Sequence, residues 1–172
     1  DDCRGTSAHL LWVSTDGTDI AEAAKSHWGQ VPFIRPSALA TDDASILDVL
    51  KHAVVEYEKS NGRVDVAILL QATTPLRAAA SIDETVRAIT EGGADSAQTV
   101  ALDEHHPLLK FTLEAGHLKP LFPEADKSRN RQNAPKIYRP NGGVYAARRA
   151  VLMEKNSLRG ADHRGVVMDF ES

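Results

Sequence analysis

The sequence predicts an α/β fold built in three layers: a mainly parallel mixed sheet, helices on both of its faces, and a small hairpin excursion. Three observations predict it. Val64 to Leu70 is an apolar run broken only by Asp65, the composition of a strand covered on both faces and suited to the middle of a sheet. Strand-like and helix-like segments alternate from the amino end to Gly93. Polar clusters stand where the strand-like runs end, which is where open α/β sheets place their ligand loops.

The elements follow in order. Leu10 to Val13 reads as a short strand, closed by Ser14-Thr15-Asp16-Gly17, a turn able to cap a helix over Asp19 to Trp28. Val31 to Ile34 reads as the next strand, and Pro36 forces extended geometry on Arg35. Asp42, Asp43 and Ser45 lead into a long amphipathic helix with Ile46, Val49, Leu50, Ala53, Val54 and Tyr57 at helical spacing. Ser45 with Asp48 makes a weak capping box, and Ser81 with Glu84 a fuller one that opens a helix ending near Gly92-Gly93.

From Ser96 the pieces become short and strand-like: Ala97 to Leu102, then Leu108 to Leu113 and Leu118 to Leu121 around a Glu114-Ala115-Gly116 turn. That pattern predicts a hairpin leaving the main sheet. Asn141-Gly142-Gly143 precedes a returning strand, Val144 to Ala146, and Arg148 to Lys155 reads as a short helix before a last strand, Val166 to Met168. There is no internal repeat, low-complexity tract or interdomain linker.

A chain of 172 residues with 42% hydrophobic residues can bury one good core, so one domain is expected over 1–172. No apolar run approaches the roughly 20 residues needed to cross a bilayer. Asp1-Asp2-Cys3-Arg4 is unlike a signal peptide, which predicts a soluble protein without a membrane partner. A single cysteine, Cys3, excludes an internal disulfide framework and agrees with a reducing cytoplasm. Acidic residues outnumber basic ones 24 to 20 and aromatics are 5%, which argues against nucleic acid as a partner. Locally the balance reverses. Lys127, Arg129, Arg131, Lys136 and Arg139 occur with no acid among them, a pattern that suits a small anion, although a solvated loop is the commoner fate of such runs.

Three polar clusters carry the candidate chemistry: Arg35 with Asp42 to Ser45, Gln71 to Arg77, and Arg139 to Tyr145. The middle one offers an amide at Gln71, hydroxyls at Thr73 and Thr74, a turn fixed by Pro75 and a permanent cation at Arg77. That set fits a nucleotide base or a phosphate, while an ordinary strand-to-helix connection uses similar residues. Converging at one sheet edge, the clusters suit a nucleoside triphosphate and a second anionic substrate. His105-His106-Pro107 invites a metal reading, but adjacent residues on a strand point to opposite faces, so a structural role is preferred. No cluster has zinc-site spacing. Ser14-Thr15-Asp16 lacks the glycine-flanked serine of a nucleophile elbow, which excludes a hydrolase of that kind.

The segments together resemble the cytidylyltransferases that activate acidic nine-carbon sugars, the CMP-sialic acid synthetases (N-acylneuraminate cytidylyltransferases) and their legionaminate and pseudaminate relatives. The resemblance rests on Val13-Ser14-Thr15-Asp16, Arg35-Pro36, Leu39 to Asp42 with Ala44-Ser45, Leu69 to Arg77, His105 to Leu108, Arg131-Gln132, and Arg139-Pro140-Asn141-Gly142 to Tyr145, in the family's order over nearly the whole chain. It implies a Rossmann-like nucleotide-diphospho-sugar transferase fold, a homodimer, and transfer of CMP from CTP to the sugar's anomeric hydroxyl with release of pyrophosphate. By position it assigns Arg35, Ala44, Ser45, Gln71 and Thr73 to the nucleotide, and Lys110, Arg131, Arg139, Asn141 and Tyr145 to the sugar.

The family also carries a glycine- and lysine-rich phosphate loop and an Asp-Ile-Asp metal motif. Both fall outside Asp1 to Ser172, so the nucleotidyltransferase domain is expected to be incomplete at both ends and the ligands of Mg2+ to lie outside this chain. Departures within the chain are Ile46 where a second serine is common, one extra residue between Pro107 and Lys110, and Leu158-Arg159 where an aromatic pair often closes the sugar pocket. The last implies a sugar other than common sialic acid. The alternatives are a non-catalytic module that binds CMP and sugar, and a cytidylyltransferase for the eight-carbon acid Kdo.

Overall fold

The computed structural model describes residues 6–27, 29–123 and 135–168. Its main sheet is formed by β1 (Val66–Leu69), β2 (Ser96–Leu102), β5 (Tyr138–Arg148) and β6 (His163–Val167), in the order β1-β5-β2-β6. β5 runs antiparallel to both of its neighbours and β6 parallel to β2, so β1, β2 and β6 share one direction. The helices are α1 (Thr18–Ser26), α2 (Ile46–Asn61), α3 (Ala79–Thr90) and α4 (Arg149–Met153). The mixed sheet and flanking helices agree with the fold class the sequence predicts.

Successive side chains of a strand point to opposite faces, and β1 displays the two cores of this protein. Ala67 packs with Leu50 and Val54 of α2 and Leu152 of α4 on one face. Val66 and Ile68 turn the other way, onto Ile89 of α3, Ala94, Ala97 and Ala146. Full burial of an aliphatic side chain such as Ile82, Ile89 or Leu152 stabilises by roughly 1.5–3 kcal/mol. The α3 face is set by Ile82, Thr85 and Ile89, one residue in each successive turn.

Several expectations are corrected. β1 closes one side of the described ladder, and the middle belongs to β5 and β2, whose residues 96–101 are all buried. Cover on both faces explains why β1 reads as a central strand. Leu10 to Val13 and Val31 to Ile34 form no strands; they meet in one parallel bridge, Trp12 with Gln30, where the Val13 N–H donates to the Gln30 carbonyl at 2.9 Å. Pro32 has no N–H with which to extend it. Packing holds the segment instead, with Trp12 edge-on to Phe33 and Tyr57, and Phe33 edge-on to His52, both partners on α2.

Neither capping box forms. Ser45 is the N-cap of α2 but only its carbonyl is used, accepting from the Asp48 and Val49 N–H groups at 3.0 and 3.1 Å. Ser81 lies inside α3, whose N-cap is Ala78, and its carbonyl accepts from Thr85 Oγ1 at 2.7 Å. Ala79 and Ala80, strong helix formers, start that helix two residues before the serine. Asn141-Gly142-Gly143, placed by the sequence ahead of a strand starting at Val144, lies within β5 as an irregularity in its pairing with β2 between Gln98 and Val100.

At the amino end of β1, Arg149 grips Glu58 of α2 in a two-pronged ion pair, Nε to Oε1 at 2.6 Å and Nη2 to Oε2 at 2.8 Å. The Val64 N–H adds a third bond to Oε1 at 2.9 Å. The Arg149 guanidinium, then the Val64 amide, lower the Glu58 pKa from 4.5 to about 2. The stability this provides is complete above the ordinary carboxylate value and disappears as pH falls toward the lowered one. Glu58→Gln is therefore expected to be less stable than the parent at neutral pH, and urea midpoints of the two are expected to converge between about pH 4.5 and pH 2. A gap that does not change with pH would show that the pair adds nothing.

Candidate functional site

Because β5 runs against its neighbours, its early residues lie beside the carboxyl ends of β1, β2 and β6. Leu69 and Gln98 both stand opposite Tyr145, and Val100 pairs with Pro140 and Val167. The loop after β1 and the Asn141-Gly142 segment therefore share one sheet edge, as the sequence reading required. A Cβ added at Gly142 would sit 2.9 Å from Thr74 Oγ1 and 3.0 Å from Gln71 Oε1, so the Gln71 turn rests directly on that glycine. Gly142 has φ +78, a conformation that other residues adopt at a cost.

The turn itself is closed by the Thr74 N–H donating to the Gln71 carbonyl at 3.2 Å. Arg77 then folds back, and its Nη2 donates to the carbonyls of both Gln71 and Thr74. The cation that the sequence offers to a phosphate is thus engaged with backbone oxygens. Among the described residues the Gln71 side chain makes no hydrogen bond, so its amide stands ready for a ligand.

Asn141 is held by Thr99, a buried residue of β2. Thr99 Oγ1 donates to Asn141 Oδ1 at 2.6 Å and accepts from the Val144 N–H at 2.8 Å. Asn141 Oδ1 also accepts from the Gly143 N–H at 3.1 Å, and Nδ2 donates to Met168 Sδ at 3.2 Å. Only part of the Asn141 amide remains for a ligand. Tyr145 is half-buried across from Gln98, whose own Oε1 is buried and unpartnered among the described residues.

The other predicted site residues have these positions. Arg35 pairs with Asp16 at 3.3 Å and its N–H donates to the Thr15 carbonyl, with no bond to the Gln71 turn. Ala44 closes a turn onto the Thr41 carbonyl at 3.0 Å, beside exposed Ser45. Thr73 is exposed at the tip of its loop, Arg139 is exposed near the start of β5, and Lys110 is exposed at the base of the hairpin. Arg131, with Lys127 and Arg129 of the basic run, lies outside the described residues, and Lys136 of the same run is exposed. His105 and His106 occupy no strand; His106 is buried and its Nδ1 accepts from the Leu108 N–H at 3.2 Å, capping a short 3-10 turn. The structural reading of that histidine is the one observed.

A second polar knot closes the opposite end of β2. Ser96 Oγ lies 2.7 Å from His163 Nδ1 and accepts from the Gly160 N–H at 2.8 Å. Burial, with help from Arg159, holds the His163 ring below its usual pKa and so favours the neutral form. Sequence reading missed Ser96, Gln98 and Thr99 as a group. The available signal was three polar residues inside a strand that is otherwise apolar.

Among the described residues no group of three or more His, Cys, Asp or Glu is arranged to hold a metal. These residues do not fit a magnesium site, and no chemical step is assigned to one. No described helix is long and apolar enough to cross a membrane.

The clamped, amide-bearing turn stands at the carboxyl edge of the sheet, which is where open α/β folds place their ligand loops. Residues 4–156 match the family model described as cytidylyltransferase, and the chain belongs to that family. It is 28% identical to post-translational flagellin modification protein B of Campylobacter coli, over 94% of this chain and 68% of that protein. It is 29% identical to the N-acylneuraminate cytidylyltransferase of Streptococcus agalactiae serotype V, over 86% of this chain, and spans 35% of that relative. It is 26% identical to the CMP-N,N'-diacetyllegionaminic acid synthase of Legionella pneumophila, over 85% of this chain and 62% of that enzyme. Among solved structures, CMP:2-keto-3-deoxy-manno-octonic acid synthetase complexed with CTP shares the fold, with a TM-score of 0.61 at 17% identity over 95% of this chain and 75% of that one.

Thr99→Val is expected to lower stability by about 1–3 kcal/mol, because the Val144 N–H loses its acceptor inside the sheet. Thr99→Ser, which keeps the hydroxyl, should recover most of it. Chemical denaturation of both variants checks this, and equal losses would assign the effect to packing alone.

Proposed function

We propose that this protein transfers CMP from CTP to the anomeric hydroxyl of an acidic nonulosonic sugar of the sialic, legionaminic or pseudaminic type, releasing pyrophosphate. The observation that carries the reading is the Gln71 turn, seated on Gly142 at the carboxyl edge with its amide open to a ligand. An amide both donates and accepts, which matches the edge of a cytosine. Membership of the cytidylyltransferase family supports the nucleotide, and relatives named for sialic and legionaminic acids support the sugar class.

In the proposed reaction the anomeric oxygen bonds to the α-phosphorus of CTP as that phosphorus releases the bridging oxygen of its β-phosphate. Pyrophosphate leaves with the bonding pair, and the hydroxyl proton passes to a base or to solvent. The protein's part is to bind, orient and offset charge. Gln71 reads the base, with Thr73, Ala44, Ser45 and Arg35 as further nucleotide contacts. Lys110, Arg131 and Arg139 are the cations assigned to the sugar side of the site, where a carboxylate needs a positive partner. Tyr145 and the free part of the Asn141 amide border the sugar. Magnesium belongs to the proposal as the usual partner of the triphosphate, with no ligand assigned to a described residue.

Expressed from its full reading frame, the protein is expected to release pyrophosphate from CTP and magnesium with at least one member of a panel of nonulosonic acids. No turnover with any of them would overturn the proposal. A clear preference for Kdo in the same panel would move it to the eight-carbon acid.

We also propose a homodimer that uses the hairpin of β3 (Phe111–Glu114) and β4 (His117–Pro120). The turn is Ala115-Gly116, with φ +49 and +85, as a two-residue hairpin of this twist requires. Its register places Phe111, Leu113, Leu118 and Pro120 on one face and Thr112, Glu114, His117 and Lys119 on the other. Leu113 and Leu118 are 70% and 66% exposed, and a lone two-stranded hairpin is marginal in water, which favours cover by a second copy. Leu113→Lys with Leu118→Lys is expected to shift sedimentation from dimer to monomer; a parent that sediments as a monomer would sink the proposal.

A further inference from the structure

We infer that Arg77 is a positioning residue for ligand recognition, acting through the backbone of Gln71 and Thr74 and not as a cation for phosphate. The inference rests on the reading of Gln71 as a cytosine contact and extends it. The Gln71 turn has two supports. From below, Gly142 presents a surface without a side chain, on which Thr74 Oγ1 and Gln71 Oε1 lie within 3.0 Å of where a Cβ would stand. From the side, one nitrogen of Arg77 donates to the carbonyls at both ends of the turn.

Geometry explains why an arginine does this. The chain from Pro75 to Arg77 turns back on itself, the Arg77 N–H donating to the Pro75 carbonyl at 3.2 Å. The half-buried side chain then reaches carbonyls six and three residues earlier. A delocalised guanidinium tolerates this partial desolvation better than an ammonium, and its charge strengthens each bond to a neutral oxygen. Its Nε is buried with no partner among the described residues, so the group faces protein and not an open phosphate path. Leu76, 79% exposed, marks the outer side of the same turn.

The two roles give different dependence on phosphate number. A phosphate-binding cation contributes more to CTP than to CMP and nothing to cytidine, whereas a residue that positions the base contact contributes equally to all three. Calorimetry on the full-length protein and on Arg77→Ala, with cytidine, CMP and CTP as titrants, separates them. We expect a weakening of about tenfold that is the same within error for the three ligands, comparable to the loss of one well-placed hydrogen bond. Guanidinium at millimolar concentration should restore part of it in Arg77→Ala and leave the parent unchanged.

Arg77→Lys keeps the charge without the planar fork and is expected to resemble Arg77→Ala. A loss that grows with phosphate number, or no loss for cytidine, would overturn the inference. Should Arg77→Ala fail to fold, Arg77→Lys carries the same three-ligand comparison. A parent protein that binds none of the three ligands would overturn the nucleotide reading itself, and is thereby distinguished from failure of the Arg77 role.

Discussion

Thr99 carries its hydroxyl in a strand whose neighbours are all buried, and the geometry of the carboxyl edge depends on how that hydroxyl is shared. It donates to Asn141 and accepts from Val144, two residues on either side of the left-handed kink at Gly142. Without an acceptor at that point the strand would leave a buried N–H unpaired, which is costly in a low-dielectric interior. With it, both flanks of the kink are hydrogen-bonded to one hydroxyl. The Gln71 turn inherits that order because it is stacked on the kink, and Met168 at the end of the last strand is tied to the same asparagine. Four segments at the carboxyl edge are thus referred to a single buried oxygen.

Much of this architecture was legible from residue pattern. The alternation of apolar strand and amphipathic helix, the hairpin around Ala115-Gly116 and the polar turn after Leu70 are local signals, and local signals survive folding when nothing competes with them. What was not legible depends on partners distant in sequence. Ser45 and Ser81 have the spacing of capping boxes, but Ser45 caps α2 through its carbonyl alone, and alanine propensity starts α3 ahead of Ser81. The Leu10 and Val31 segments have strand composition, yet Pro32 and the pull of Trp12 and Phe33 onto α2 leave them a single bridge. Nothing within Ser96 to Leu102 announces that Thr99 will meet Asn141, more than forty residues later.

Arginines make the same lesson chemical. From sequence, each is a permanent cation available to an anion. In the fold, Arg77 ties two carbonyls of a turn, and Arg148 ties the carbonyls of Ile89 and Ala94 at the end of α3. Arg149 is held by Glu58. Neutral carbonyl oxygens at turns and helix ends are orphaned acceptors, and a long side chain with five donors is well suited to collect them. Counting basic residues therefore overstates the charge that a substrate would meet.

The approach of Gly160 to Asp95 sets a limit of a different kind. A Cβ at Gly160 would fall 2.2 Å from the Asp95 Cβ, and the Asp95 carboxylate accepts from the next two N–H groups, at Ala161 and Asp162. Leu158 packs inward on the Leu50 and Leu152 core, while Arg159 between them is exposed. The backbone of this loop is fixed at two points, by Leu158 in the core and by Asp95 beneath Gly160, so a lineage that needed a new surface here would have to find it by changing the side chain at position 159 and not by moving the chain.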